Sequence, residues 1–267
     1  QKQIIALSKV FLISSCSQSC EFLNYFTDIP YGPGSFIRVG KSFANSANEL
    51  GFQGLIQMGT ASEPPKSVTE LITRINEMPI QVKPDPIFNV LLPSGIIQCY
   101  ISMFRILLML KLARAAVDKM WFLSRDSYVK RIALRASNMM LRFVICTETY
   151  FHATALTPAV KDLEHICDDV QTIEECNKKH ENALGVLLAR CLLSPKSKAI
   201  RTPLLLSLVE ICKYVYEPFL SGEKVTPDEF EECAGKFALI IHELNSAVSE
   251  NPMFRFLDTL FSDFQIK

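Results

Sequence analysis

The sequence lacks net charge. Its 28 lysines and arginines match 28 aspartates and glutamates, so no global field draws the chain to nucleic acid or to an anionic membrane. It also lacks phosphate-cradling glycine loops. Gly40-Lys41-Ser42 has Ser35 where a phosphate loop, G-x-x-x-x-G-K-[ST], needs its first glycine, no G-x-G-x-x-G occurs, and YGPGS at 31–35 has no helix of the required kind behind it, which argues against ATP and dinucleotide binding. No G-x-S-x-G provides a nucleophile elbow, and no fixed-period repeat supports a solenoid. A signal peptide is missing too: QKQIIALSKVFLISS holds a short apolar run without an initiator Met, so the sequence reads as the C-terminal part of a longer protein. The nine cysteines are odd in number and scattered through apolar contexts. They fit reduced, buried thiols of an intracellular protein better than a disulfide framework.

What is present is apolar mass, 49% of 267 residues, enough for a sizeable core. Its centre is the stretch 93–121, PSGIIQCYISMFRILLMLKLARAAVDKMW, where about 25 residues without Gly or Pro are apolar on nearly every face. Such a helix is a membrane span, the central helix of a bundle or a docking helix. Arg105 at the middle of its apolar core would cost about 2.5–3.5 kcal/mol in a bilayer, and Lys111 and Arg114 close its end. The bundle is preferred over the span.

The expected fold is all-α, an irregular helical bundle around this long apolar helix. A loop-rich part (1–92) precedes the bundle (93–267), and the two are expected to form one domain. Residues 1–93 hold eight of the fourteen prolines and six of the ten glycines. Helical patterning there covers 4–26, weakly 42–50, and a short helix capped by Ser67 with Glu70 reaching back. Residues 79–93 read as extended, with short strand or polyproline pieces. Beyond Trp121 come a helix over 128–155 that should break at Pro158, a short one over 160–167, and a long one opened by Thr172 with Glu175 and running to Leu193. SPKSK at 194–198 interrupts, Pro203 starts a helix to about Tyr216, and Thr226-Pro227-Asp228-Glu229 opens another. A last helix is expected over 252–264.

The zero net charge hides a segregation. Residues 105–142 carry nine Lys and Arg against Asp118 and Asp126, whereas 162–181 carry seven acids against two lysines. One basic and one acidic surface would explain this, as would the solvated faces of two helices. The candidate metal cluster is His165, Cys167, Cys176 and His180, with Cys176 and His180 at i and i+4 on one helix. Its H-x-C-x8-C-x3-H spacing matches none of the common zinc patterns. Asp168, Asp169, Glu174 and Glu175 fit first-turn acids and loop solvation better than an acid/base pair. Trp121, Phe122, Met139 and Met140 fit core better than a ligand box. Arg105 either snorkels, pairs inside the bundle or meets a partner.

The segment 86–121 resembles the C-terminal region of the gamma-tubulin complex proteins, whose helix follows the pattern Y-x-x-[IL]-F-x-[FL]-L-L-x-[LI]-[KR]. Tyr100, Phe104, Leu107, Leu108, Leu110 and Lys111 fall on it. Three later blocks are similar in the same order: 134–151 at Leu134, Arg135, Met139, Phe143, Val144 and Tyr150; 168–193 at Ile173, His180, Leu184, Cys191, Leu192 and Leu193; and 254–265, where Asp263-Phe264-Gln265 stands for the family's closing D-F-N. The family's tryptophan before Pro93 is replaced by Leu91-Leu92.

The resemblance implies a helical domain that binds gamma-tubulin, beside other gamma-tubulin complex proteins in a ring or small complex that templates microtubules at a microtubule-organising centre, the centrosome or spindle pole, in the cytoplasm. It implies no enzymatic activity, no cofactor, no nucleic acid and no membrane span. Tubulins being acidic, the basic residues Arg125, Lys130, Arg131 and Arg135 are the candidate contacts, with solvated helix charges as their alternative reading. Two rivals from other classes are a helical adaptor taking a partner helix in an apolar groove and a zinc-dependent enzyme built on the 165–180 cluster.

Overall fold

The computed structural model describes residues 56–58, 67–77, 80–82, 94–123, 130–165, 170–221, 227–250 and Leu257. The helices expected over 4–26 and 42–50 lie outside these residues, as does all of 252–264 except Leu257. Among the described residues the chain is all-α apart from one strand pair, β1 (Ile56–Met58) and β2 (Ile80–Val82), antiparallel with Ile56 opposite Val82. The helices are α1 (Val68–Asn76), α2 (Ser94–Leu123), α3 (Lys130–Thr149), α4 (Thr157–Glu164), α5 (Ile173–Arg190), α6 (Lys198–Ser221) and α7 (Pro227–Glu250).

Local chemistry accounts for several helix starts. The Glu70 amide donates to Ser67 Oγ at 3.1 Å, capping α1, which buries Val68, Leu71 and Ile75 at helical spacing. At α5 the Glu175 amide donates to Thr172 Oγ1 at 3.2 Å, while the Glu175 carboxylate reaches back one residue further than expected, to the Gln171 amide at 3.3 Å. Helix α7 begins at Pro227, where a missing N–H costs nothing, with Asp228 and Glu229 in its first turn.

Two expectations need correction. The helix over 128–155 does not break at Pro158: α3 passes through a π-helical segment, Tyr150–Leu156, straight into α4. The wider turn accommodates a proline that has no N–H to give and whose ring crowds the preceding turn. Thr157 Oγ1 donates to the His152 carbonyl five residues back, at 2.7 Å. Likewise α6 starts at Lys198 rather than at Pro203, because a 3-10 turn, Pro195–Ser197, leads into it. A 2.6 Å contact between the Ser194 and Ser197 hydroxyls ties that turn together.

The C-terminus of α5 carries an unexpected backbone feature. Leu192 has φ of 59°, the left-handed conformation, and the Leu193 amide closes back onto the Leu188 carbonyl at 2.8 Å. This is the usual helix-terminating turn made without glycine. A leucine there costs about 1–2 kcal/mol, and near-complete burial of its side chain offsets that cost.

Helix α2 is buried over most of its surface, from Ile96 and Ile97 through Tyr100, Phe104 and Leu107 to Ala116 and Val117, with Gln98 exposed and Ser102, Arg105, Lys111 and Arg114 half-buried. Ser94–Asp118 is long and apolar enough to cross a membrane, yet 72% of its most apolar window is buried by the chain itself. Among the described residues no cysteine forms a disulfide: Cys176, Cys191 and Cys212 are buried, Cys99, Cys146 and Cys233 partly so.

The chain divides into two compact units. One comprises Gln1–Pro65, Thr73–Leu108 and Phe151–Leu193; the other comprises Lys66–Ile72, Met109–Tyr150 and Ser194–Lys267. Within the first, α4 packs on α5. Within the second, α6 packs on α7 and α7 on α3.

The second unit also holds an ion network. Glu148 of α3 accepts from Lys111 Nζ at 2.9 Å and lies 3.5 Å from Arg114, which in turn meets Asp118 at 3.2 Å. Glu148 and Lys111 are only 14% and 17% exposed. Glu148→Ala therefore strands Lys111 in poorly solvated surroundings, while Arg114 keeps Asp118, and a loss of about 1–2 kcal/mol is expected in urea unfolding. Glu148→Gln, which keeps the shape, should lose less.

Candidate functional site

The family-like residues come together in space. Tyr100 of α2 and His180 of α5, 80 positions apart, are joined by a 2.9 Å hydrogen bond between Tyr100 Oη and His180 Nε2, and both side chains are 0% exposed. Their rings lie 6.0 Å apart. Burial pushes the Tyr100 phenol up, with a smaller contribution from Cys99, and holds the imidazole down at about 4. His180 is thus neutral. A buried tyrosine and histidine in contact resemble a catalytic pair, but neither is exposed to a substrate. Their chemistry is structural: a polar tie that fixes the register of α2 against α5.

The described members of the 165–180 cluster, His165, Cys176 and His180, do not gather into one metal-binding group. Cys176 is buried against Leu163, Val170 and Ala183, His165 is exposed just past the end of α4, and Cys167 lies outside the described residues. Among the described residues no three His, Cys, Asp or Glu side chains converge on one point.

Of the candidate contacts, Arg125 lies outside the described residues, and Lys130 and Arg131 occupy the first turn of α3. Arg135, one turn on, is exposed. Arg135, Asn138 and Arg142 are exposed at i, i+3 and i+7, whereas Met140, Phe143 and Val144 are buried on the opposite side. So α3 divides into an apolar stripe and a basic outer face. The basic segment is not all surface, however: Lys111 and Arg114 are engaged by Glu148, a partner that reading α2 alone does not suggest.

The motifs that carry the resemblance therefore have structural work. Tyr100 and His180 tie two helices, Lys111 anchors the ion network, Phe143 sits in the core, and Cys191-Leu192-Leu193 forms the left-handed terminus of α5. A comparison with curated proteins finds no match. The family model for the gamma tubulin complex component C-terminal region matches residues 51–255. That match covers well over half of the 267 residues, and the chain belongs to the gamma-tubulin complex component family.

Proposed function

We propose that this chain binds gamma-tubulin and so takes part in a complex that templates microtubule nucleation at a microtubule-organising centre, centrosome or spindle pole, in the cytoplasm. The family match over 51–255 is the observation that carries this reading. The role is that of a structural component, without chemistry or a cofactor of its own. It acts by holding gamma-tubulin through surface complementarity, beside other gamma-tubulin complex proteins.

The surface we assign to gamma-tubulin is the basic one of Arg125, Lys130, Arg131 and Arg135. Its support is the exposure of Arg135 and the segregation of positive charge in this segment, which suits an acidic partner. The test is co-expression of the 267-residue chain with tagged gamma-tubulin. Co-purification is expected, and the Arg131→Glu, Arg135→Glu double variant should recover roughly a tenth as much. Absence of gamma-tubulin from the purified chain would sink the reading. Undiminished recovery with the double variant would sink only the choice of surface.

A further inference from the structure

We propose that Ser194 is a phosphorylation site, the acceptor for a proline-directed protein kinase that also reads basic residues after the proline. The inference stands apart from the gamma-tubulin reading. Four serines or threonines in the chain precede a proline: Thr157, Ser194, Thr202 and Thr226. Behind Ser194 the sequence runs Pro195-Lys196-Ser197-Lys198, whereas Thr157 is followed by Pro-Ala-Val, Thr202 by Pro-Leu-Leu and Thr226 by Pro-Asp-Glu. A kinase cleft whose carboxylates select basic substrates favours Ser194 and is repelled by the acids behind Thr226.

Backbone conformation makes the same choice among the described acceptors. Ser194 has φ of −65° and ψ of 152°, the polyproline conformation to which a following proline restricts it. An extended segment of this kind presents a hydroxyl in line with a bound phosphate while its flanking side chains reach the cleft. Thr157 and Thr202 lie in helices, and the Thr157 hydroxyl donates to the His152 carbonyl at 2.7 Å. Ser194 is half-buried, and its hydroxyl meets that of Ser197 at 2.6 Å. The 3-10 turn that holds the pair, Pro195–Ser197, is three residues long, and the Ser197 amide closes it on the Ser194 carbonyl at 3.0 Å. So short a turn opens at small cost, and opening it frees the acceptor without unwinding α6.

The surroundings suit both the kinase and the product. Lys196 and Lys198 are exposed, and neither is in an ion pair among the described residues. With Thr202 and Glu243 they line a concavity of about 600 Å³ beside the turn. In the transfer the Ser194 oxygen attacks the γ-phosphorus of ATP, the bond from that phosphorus to the bridging oxygen breaks, ADP leaves with the electron pair, and the hydroxyl proton passes to a carboxylate of the kinase. The product carries a phosphate of charge about −2 at the entry to the 24-residue helix α6. The positive end of the helix, the Ser197 hydroxyl and the two lysines favour it there; Glu243, on the same concavity, opposes it.

The test incubates the 267-residue chain with a cyclin-dependent kinase and ATP radiolabelled on its γ-phosphate, and locates the label by peptide mass spectrometry. Label on Ser194 is expected. Ser194→Ala and Pro195→Ala should each lower the initial rate of labelling by roughly tenfold or more, and the double variant Lys196→Glu, Lys198→Glu by roughly tenfold. The two lysines are exposed, so unchanged circular dichroism and urea midpoints will show that this variant remains folded. The phosphorylated chain should melt about 2 °C or more above the parent, as a phosphate seated at a helix start requires. The proposal is overturned by no label on Ser194, by equal labelling of Thr157, Thr202 or Thr226, or by a rate that the lysine substitutions leave unchanged. A melting temperature that does not rise overturns the seat assigned to the phosphate.

Discussion

Replacing Phe237 with alanine is expected to cost the chain about 3–5 kcal/mol. Phe237 of α7 and Phe143 of α3 are both 0% exposed, with ring centroids 5.5 Å apart and planes at 84°, an edge-to-face contact. Truncation loses the transfer free energy of the ring and opens a cavity that helices on both sides cannot close without moving. The pair itself should contribute about 0.5–1.5 kcal/mol beyond the area it buries. A cycle of Phe143→Ala, Phe237→Ala and the double variant, measured by urea unfolding, should show that much coupling. Phe237→Leu, which keeps most of the volume, should lose far less than the alanine variant. A cost below about 1 kcal/mol for alanine at 237 would mean that α7 does not pack on α3 through this ring.

Features decided by neighbouring residues were legible in the sequence. Ser67 and Thr172 cap helices as their spacing to Glu70 and Glu175 suggested, and Pro227 opens α7. The long apolar helix is where the absence of Gly and Pro placed it. Features decided by the path of the chain were not. The π-helical passage through Tyr150–Leu156 cancels the break that Pro158 signals, because a locally widened turn removes the clash on which the signal depends. Leu192 in a left-handed conformation has no local signal at all; only burial justifies a leucine where glycine is usual. Partners distant in sequence were equally hidden. His180 was a candidate metal ligand until Tyr100, 80 residues away, claimed its Nε2. Two cations of the basic segment turned out to be held by Glu148. Leu239 among Glu and Lys reads as one more position of an amphipathic helix, and only the packing shows it at 66% exposure.

Acid should destabilise this chain through His180 before its ordinary carboxylates begin to titrate. In the folded state the imidazole is held down at about 4, against about 6.5 in an unfolded chain. Desolvation is the cause, and the hydrogen bonding agrees with it. Nε2 is bonded to Tyr100, and the buried Nδ1 has no hydrogen-bond partner among the described residues, so the imidazolium, protonated on both nitrogens, would hold a buried, unsatisfied donor at Nδ1. At neutral pH both states are unprotonated and the group adds no pH dependence. As pH falls below about 6.5 the unfolded chain takes up the proton and the folded chain does not. Unfolding is thereby favoured by about 2 kcal/mol at pH 5, rising to about 3 kcal/mol at pH 4, where the folded state begins to titrate as well. His180→Gln removes the titrating group while keeping a polar side chain near Tyr100. It should be less stable than the parent at pH 7, where the tie is lost without compensation. Its stability should then change little from pH 7 to pH 5, while that of the parent falls, so the difference between the two narrows. Urea unfolding of both chains at half-unit steps of pH measures this difference directly. Two curves that stay parallel across that range would show that His180 is solvated in the folded chain, and that the joint between α2 and α5 is not sealed as described.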